Sequence, residues 1–82
     1  MMLTAGQNVR VVEHDDATRL PKPGGLTFGA EVTEVTEVYV LIRYTEPSPT
    51  QWLVARDQFW RDSGWRAWDG EFRWRLVPGK GT

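Results

Sequence analysis

Proline, glycine and short polar clusters cut this chain into strand-length pieces, leaving no room for a helix of useful length. The apolar residues between the cuts recur with the period of a strand: Val9 and Val11 in NVRVVE, then Val38, Val40, Ile42 and Tyr44, interleaved with Tyr39, Leu41 and Arg43. Such a pattern predicts an all-β domain. The sequence is read as a small antiparallel barrel of five or six strands with one short helical turn.

Taken in order, residues 1–6 read as a loose start and residues 78–82 (PGKGT) as a frayed tail, leaving an ordered core of about residues 7–77 in a single domain. The first strand is expected at 8–13. The stretch HDDATRLPKPGG that follows is a long loop, with two prolines and a glycine pair. Residues 26–44 read as two strands meeting at a tight turn near Thr36 and Glu37. Pro47 and Pro49 then turn the chain into a fourth strand at 51–55. Asp57 is placed to cap a helical turn through Phe59, Trp60 and Arg61, closed by Ser63 and Gly64.

A length of 82 residues allows one modest core and no deep enclosed active site. The chain has no cysteine, so disulfides and thiolate chemistry are excluded, and a reducing, cytoplasmic setting is favoured. The opening residues do not read as a signal peptide, and no segment is apolar enough to span a bilayer as a helix. Net charge is −1, against a dedicated nucleic-acid binder. Residues 1–50 hold four basic and seven acidic groups, residues 51–82 six and four, so an anion-facing surface would have to come from the second part. Arginine outnumbers lysine eight to two, the usage of a GC-rich genome such as an actinobacterial or phage one.

Asp69-Gly70, flanked by alternating residues, signals a hairpin with a two-residue turn. That register sets Trp65 opposite Trp74 and Arg66 opposite Arg73. One face then carries Trp65, Ala67, Phe72, Trp74 and Leu76 as core. The other carries Arg66, Trp68, Glu71, Arg73 and Arg75, facing water or a partner.

All five tryptophans fall between Trp52 and Trp74, with arginines threaded among them. Trp52, Trp65 and Trp74 are expected inside. Phe59 is expected to be buried and its neighbour Trp60 part exposed. The outward Arg/Trp face has two readings: a solvated surface in which Trp68 and Glu71 offset the arginine repulsion, or a binding platform, since Trp and Arg are enriched at hot spots. The candidate partner-binding residues are Arg66, Trp68, Arg73, Arg75 and Trp60.

Catalysis has little support. His14, the single histidine, reads as part of an exposed polar turn and lacks further ligands at metal spacing. Ser48 and Ser63 sit in turns without a base. Gly24-Gly25 lacks the spacing of a phosphate-binding loop. No cofactor or metal is expected.

The order of elements resembles the SH3-like barrels, the group containing SH3, Tudor and KOW-type domains. The GQNVRVV strand, the long polar loop, the YVLIRY and QWLVA strands and the turn at DQFWRD carry that resemblance over residues 6–76. The ALYDY-type aromatic run of SH3 domains proper is missing, and the peptide groove of that family does not carry over. The resemblance implies a barrel and sets no function. The expected function is a non-catalytic module that recognises a protein partner through the Arg/Trp face. The alternatives are nucleic-acid binding, by base stacking on tryptophan, and a structural role in a virion or homo-oligomer.

Overall fold

The computed structural model describes residues 3–46, 57–66 and 73–79. Five antiparallel strands form one curled, half-barrel sheet: β1 (Asn8–Glu13), β2 (Thr27–Val35), β3 (Tyr39–Tyr44), β4 (Gln58–Trp60) and β5 (Trp74–Pro78). Their order across the sheet is β4-β3-β2-β1-β5, so the first and last strands are neighbours. Strict alternation drives this arrangement. Val9, Val11, Phe28, Ala30, Val32, Val40, Ile42, Phe59, Trp74 and Leu76 all point to one side and form the core. Full burial of a Val, Leu, Ile or Phe side chain stabilises by roughly 1.5–3 kcal/mol.

The first three strands fall where the sequence places them. The β2–β3 turn is set by Thr36, whose hydroxyl accepts the N–H groups of Val38 (3.2 Å) and Tyr39 (2.8 Å). A register shift between Val32 and Glu34 bends β2 just before that turn.

The expected helical turn at 59–61 is instead the strand β4. Phe59 points in and Trp60 out, and they pair with Val40 and Tyr39. Period-two burial outweighs the capping signal of Asp57, whose carbonyl accepts the Ile42 N–H at 3.0 Å. The turn lies at 61–64, where the Gly64 N–H reaches the Trp60 carbonyl at 2.9 Å. Gly64 has φ of 70°, a left-handed conformation that glycine adopts without strain.

That turn corrects the predicted register of the following segment. Trp65 bridges to Arg75 rather than Trp74, and Arg66 bridges to Phe59. The Arg66 N–H donates to the Trp74 carbonyl (3.3 Å), and the Leu76 N–H to that of Gly64 (2.9 Å). Trp65 and Arg66 thereby link the two edges of the sheet. The one-residue difference exchanges their faces. Arg66 turns inward, 1% exposed, while Trp65 shares the outer side with Arg75. The Asp69-Gly70 hairpin and the strand expected at 51–55 lie outside the described residues.

Residues 3–7 are more firmly held than the sequence suggests. Leu3 is buried in the core, and the Gly6 N–H and Gln7 carbonyl both bond to Val32, at 2.8 and 2.9 Å. At the other end, Pro78 is part of β5 and the Gly79 N–H bonds to the Asn8 carbonyl at 3.0 Å. Among the described residues, no helix is long and apolar enough to cross a membrane.

The 14–25 loop is built rather than slack. Asp15 accepts the N–H groups of Ala17 (2.9 Å) and Thr18 (3.0 Å), and those bonds hold its carboxyl below the ordinary carboxylate range. At its base, the buried Glu13 accepts the Leu26 N–H at 3.0 Å and lies 3.6 Å from Lys22 Nζ. Glu13 occupies the inward position after Val9 and Val11, and so ties both ends of the loop to the sheet.

Candidate partner-binding surface

On the outside of the sheet the cross-strand registers line up a row of large side chains. Tyr39 lies opposite Trp60, the Trp60 N–H bonds to the Trp65 carbonyl, and Trp65 bridges to Arg75. The two ends of this row differ. At one end the Arg75 guanidinium lies 4.9 Å from the Trp65 ring centroid, while His14 meets that indole edge-on at 5.1 Å. Trp65 is thus covered on the outside of the sheet. At the other end, Trp60 is 43% exposed, Tyr39 37% and Val38 48%. Three of the five exposed large hydrophobic residues among those described adjoin one another here.

The backbone beneath this patch is tightly held. The Arg61 N–H donates to the Val38 carbonyl (2.9 Å), and Arg61 Nη1 donates to the Thr36 carbonyl (3.4 Å). The β2–β3 turn and the turn after β4 are stitched together, so Val38 and Trp60 are presented from two anchored segments. Between them lies a shallow cleft of about 350 Å³ lined by Glu37, Val38, Trp60, Arg61, Asp62 and Ser63. A backbone already fixed in place adds little ordering cost when the aromatic it carries is buried on binding.

A larger groove, about 680 Å³, runs over the outer face of β1 between Glu46 and Val77. Its charged residues, Arg10 and Glu46, pair with each other, and no aromatic side chain lines it. An exposed tryptophan is what the smaller cleft at Trp60 has and this groove lacks.

The candidate residues read from the sequence separate into distinct environments. Trp60 is exposed and Phe59 buried, as expected. Arg75 lies on the same outer row as Trp60, with Trp65 between them, and is half-buried over that indole. Arg66 is withdrawn from the surface. Its guanidinium carbon sits 5.6 Å from the Phe59 ring centroid, and it donates a hydrogen bond to the Tyr44 hydroxyl. Burial raises the Tyr44 hydroxyl above the ordinary phenol value, and the bond from Arg66 opposes that shift. Arg73 is exposed beside His14, Asp15, Asp16 and Lys22, in a separate cleft. Trp68 lies outside the described residues.

His14 is not part of an exposed turn. It is 5% exposed, its Nδ1 lies 3.2 Å from the Val12 carbonyl, and its own N–H donates to the Arg73 carbonyl at 2.6 Å. The ring is covered because Trp65 folds onto the outer side, a consequence of the register set by Gly64. Tyr39 and Val38 are the surface residues that sequence reasoning missed. The alternation of β3 already assigns Tyr39 to the outer face, which was the available signal.

Comparison with protein-family models, with curated proteins and with solved structures gives no match.

Proposed function

We propose that this chain is a non-catalytic binding module that recognises a protein partner, with Trp60 at the centre of the contact and Tyr39 and Val38 flanking it. The observation that carries this reading is the grouping of three exposed hydrophobic side chains on a backbone anchored by the Arg61 bonds. A tryptophan presented in this way supplies large contact area at low entropic cost, the property that makes it common at hot spots. The recognition surface thus moves from the arginine-rich hairpin face to the β3–β4 side of the sheet. Arg75 serves chiefly to cover Trp65.

The β1–β5 neighbourhood, the long built loop after β1 and the late turn before the last strand support an SH3-like barrel as the scaffold. Nucleic-acid binding is the weaker reading. Bases could stack on Trp60, but Glu37 and Asp62 line the same cleft and would repel phosphates.

The test is selection of peptides from a random display library on the folded protein, followed by NMR mapping of those retained. The reading expects shifts at the Trp60 indole N–H and at residues 37–39 and 60–63. Peptides that shift only other regions, or a single-stranded oligonucleotide that shifts Trp60 where no peptide does, would overturn it.

A further inference from the structure

The acidic groups of this protein are not all alike in their surroundings. Glu13 lies beside Lys22, Glu31 pairs with Arg43 and Glu46 with Arg10, while Asp15 is taken up by the loop N–H groups. Glu37 and Asp62 have no ion-pair partner among the described residues, and both line the cleft at Trp60. The one cation of that cleft, Arg61, points a guanidinium N–H at the Thr36 carbonyl. The cleft beside the exposed indole therefore holds two carboxylates against one guanidinium, a net charge of about −1 that favours a cation.

From this charge pattern we infer that the partner segment seated on Trp60 carries a lysine or arginine side chain, which lies against the indole in the cleft shared with Glu37 and Asp62. This inference rests on the binding-module reading above and adds the chemistry of the partner. The aromatic faces attract a cation through their quadrupole, and the carboxylates add charge attraction and hydrogen-bond acceptors. An acidic segment would meet repulsion from both carboxylates. A second copy of this chain would bring two further carboxylates to the contact, opposed by only one further arginine.

The experiment compares the peptides selected by the wild-type protein with those selected by the double variant Glu37→Lys, Asp62→Lys. Both side chains are exposed, and retention of fold is checked by melting temperature. Wild type is expected to enrich peptides with lysine or arginine beside an apolar residue, and to bind them less tightly as salt is raised. Each single neutral variant, Glu37→Gln or Asp62→Asn, is expected to weaken such a peptide about two- to fivefold. The double variant should lose these peptides and favour acidic ones. Peptides that map to Trp60 with no cationic preference would overturn the inference and leave the binding-module reading standing. Failure of any peptide to map to Trp60 would remove both. Doubling of mass in solution that Trp60→Ala abolishes would put a second copy on the patch and overturn the cationic partner.

Discussion

Arg66 lies across a single antiparallel bridge from Phe59, both buried, with the guanidinium carbon 5.6 Å from the centre of the ring. The Phe59 π-face and the Tyr44 oxygen are two groups that hold this charge inside the curled sheet. Arg66→Ala removes the cation and much of the side chain that links β4 to the Tyr44 end of β3. It should cost about 2–4 kcal/mol, through lost packing and a vacated volume. Tyr44→Phe, which removes only the hydrogen-bond acceptor, should cost less, about 1–3 kcal/mol. Urea unfolding of the two variants checks the order. Equal and negligible effects would show that Arg66 does not support the core.

Two glycines, Gly25 at the base of the loop and Gly29 inside β2, should respond differently to alanine. At Gly25 a Cβ would lie 2.8 Å from the Lys22 carbonyl oxygen, the same oxygen that accepts the Gly25 N–H. Backbone cannot yield there without opening the loop base, so Gly25→Ala should cost about 1–3 kcal/mol. At Gly29 the nearest atoms are Thr45 Oγ1 at 2.9 Å, a hydroxyl that moves by χ1 rotation, and Glu46 Oε1 at 3.0 Å, the end of a flexible exposed side chain. Gly29→Ala should displace Glu46 from Arg10 and cost less than Gly25→Ala. Thermal unfolding of both variants tests the contrast.

The loop also predicts a pH response. The Thr18 and Ala17 N–H groups hold the Asp15 carboxyl below its ordinary value of 3.8. A depressed folded pKa contributes stability that is present above the unfolded value and lost as pH falls through the folded one. Wild type should therefore lose stability on acidification below about pH 4 in part through this residue. Asp15→Asn retains a side-chain oxygen acceptor without the titration, so its stability should fall less over the same range. Unfolding midpoints measured from pH 5 downward decide this, and parallel curves would contradict it.

Much of the fold was legible because burial in a thin sheet imposes period two. The bounds of β1, the turn after β2 and the inward positions of β3 follow directly from valine and isoleucine spacing. What was not legible arose from one local event. The turn at Gly64 sets the partner of every residue near it, and it forces Trp65 outward and Arg66 inward against their hydropathy. The hairpin signal at Asp69-Gly70 taken alone favours the opposite register, with Trp65 across from Trp74. Leu3 was missed because a lone apolar residue near a terminus has no periodicity to reveal it. Of the candidate site, Trp60 was legible from its place beside Phe59. The acidic frame was not, because Glu37 and Asp62 stand far apart in sequence and meet only when β4 pairs with β3.

The most direct measurement is calorimetric binding of the tightest selected peptide to wild type and to Trp60→Ala, with the melting temperature of each recorded alongside. The account predicts that Trp60→Ala loses more than about tenfold in affinity, as a hot-spot truncation should, while its melting temperature stays close to that of wild type. Unchanged affinity, or a loss matched by a collapse in stability, would contradict a recognition role for Trp60.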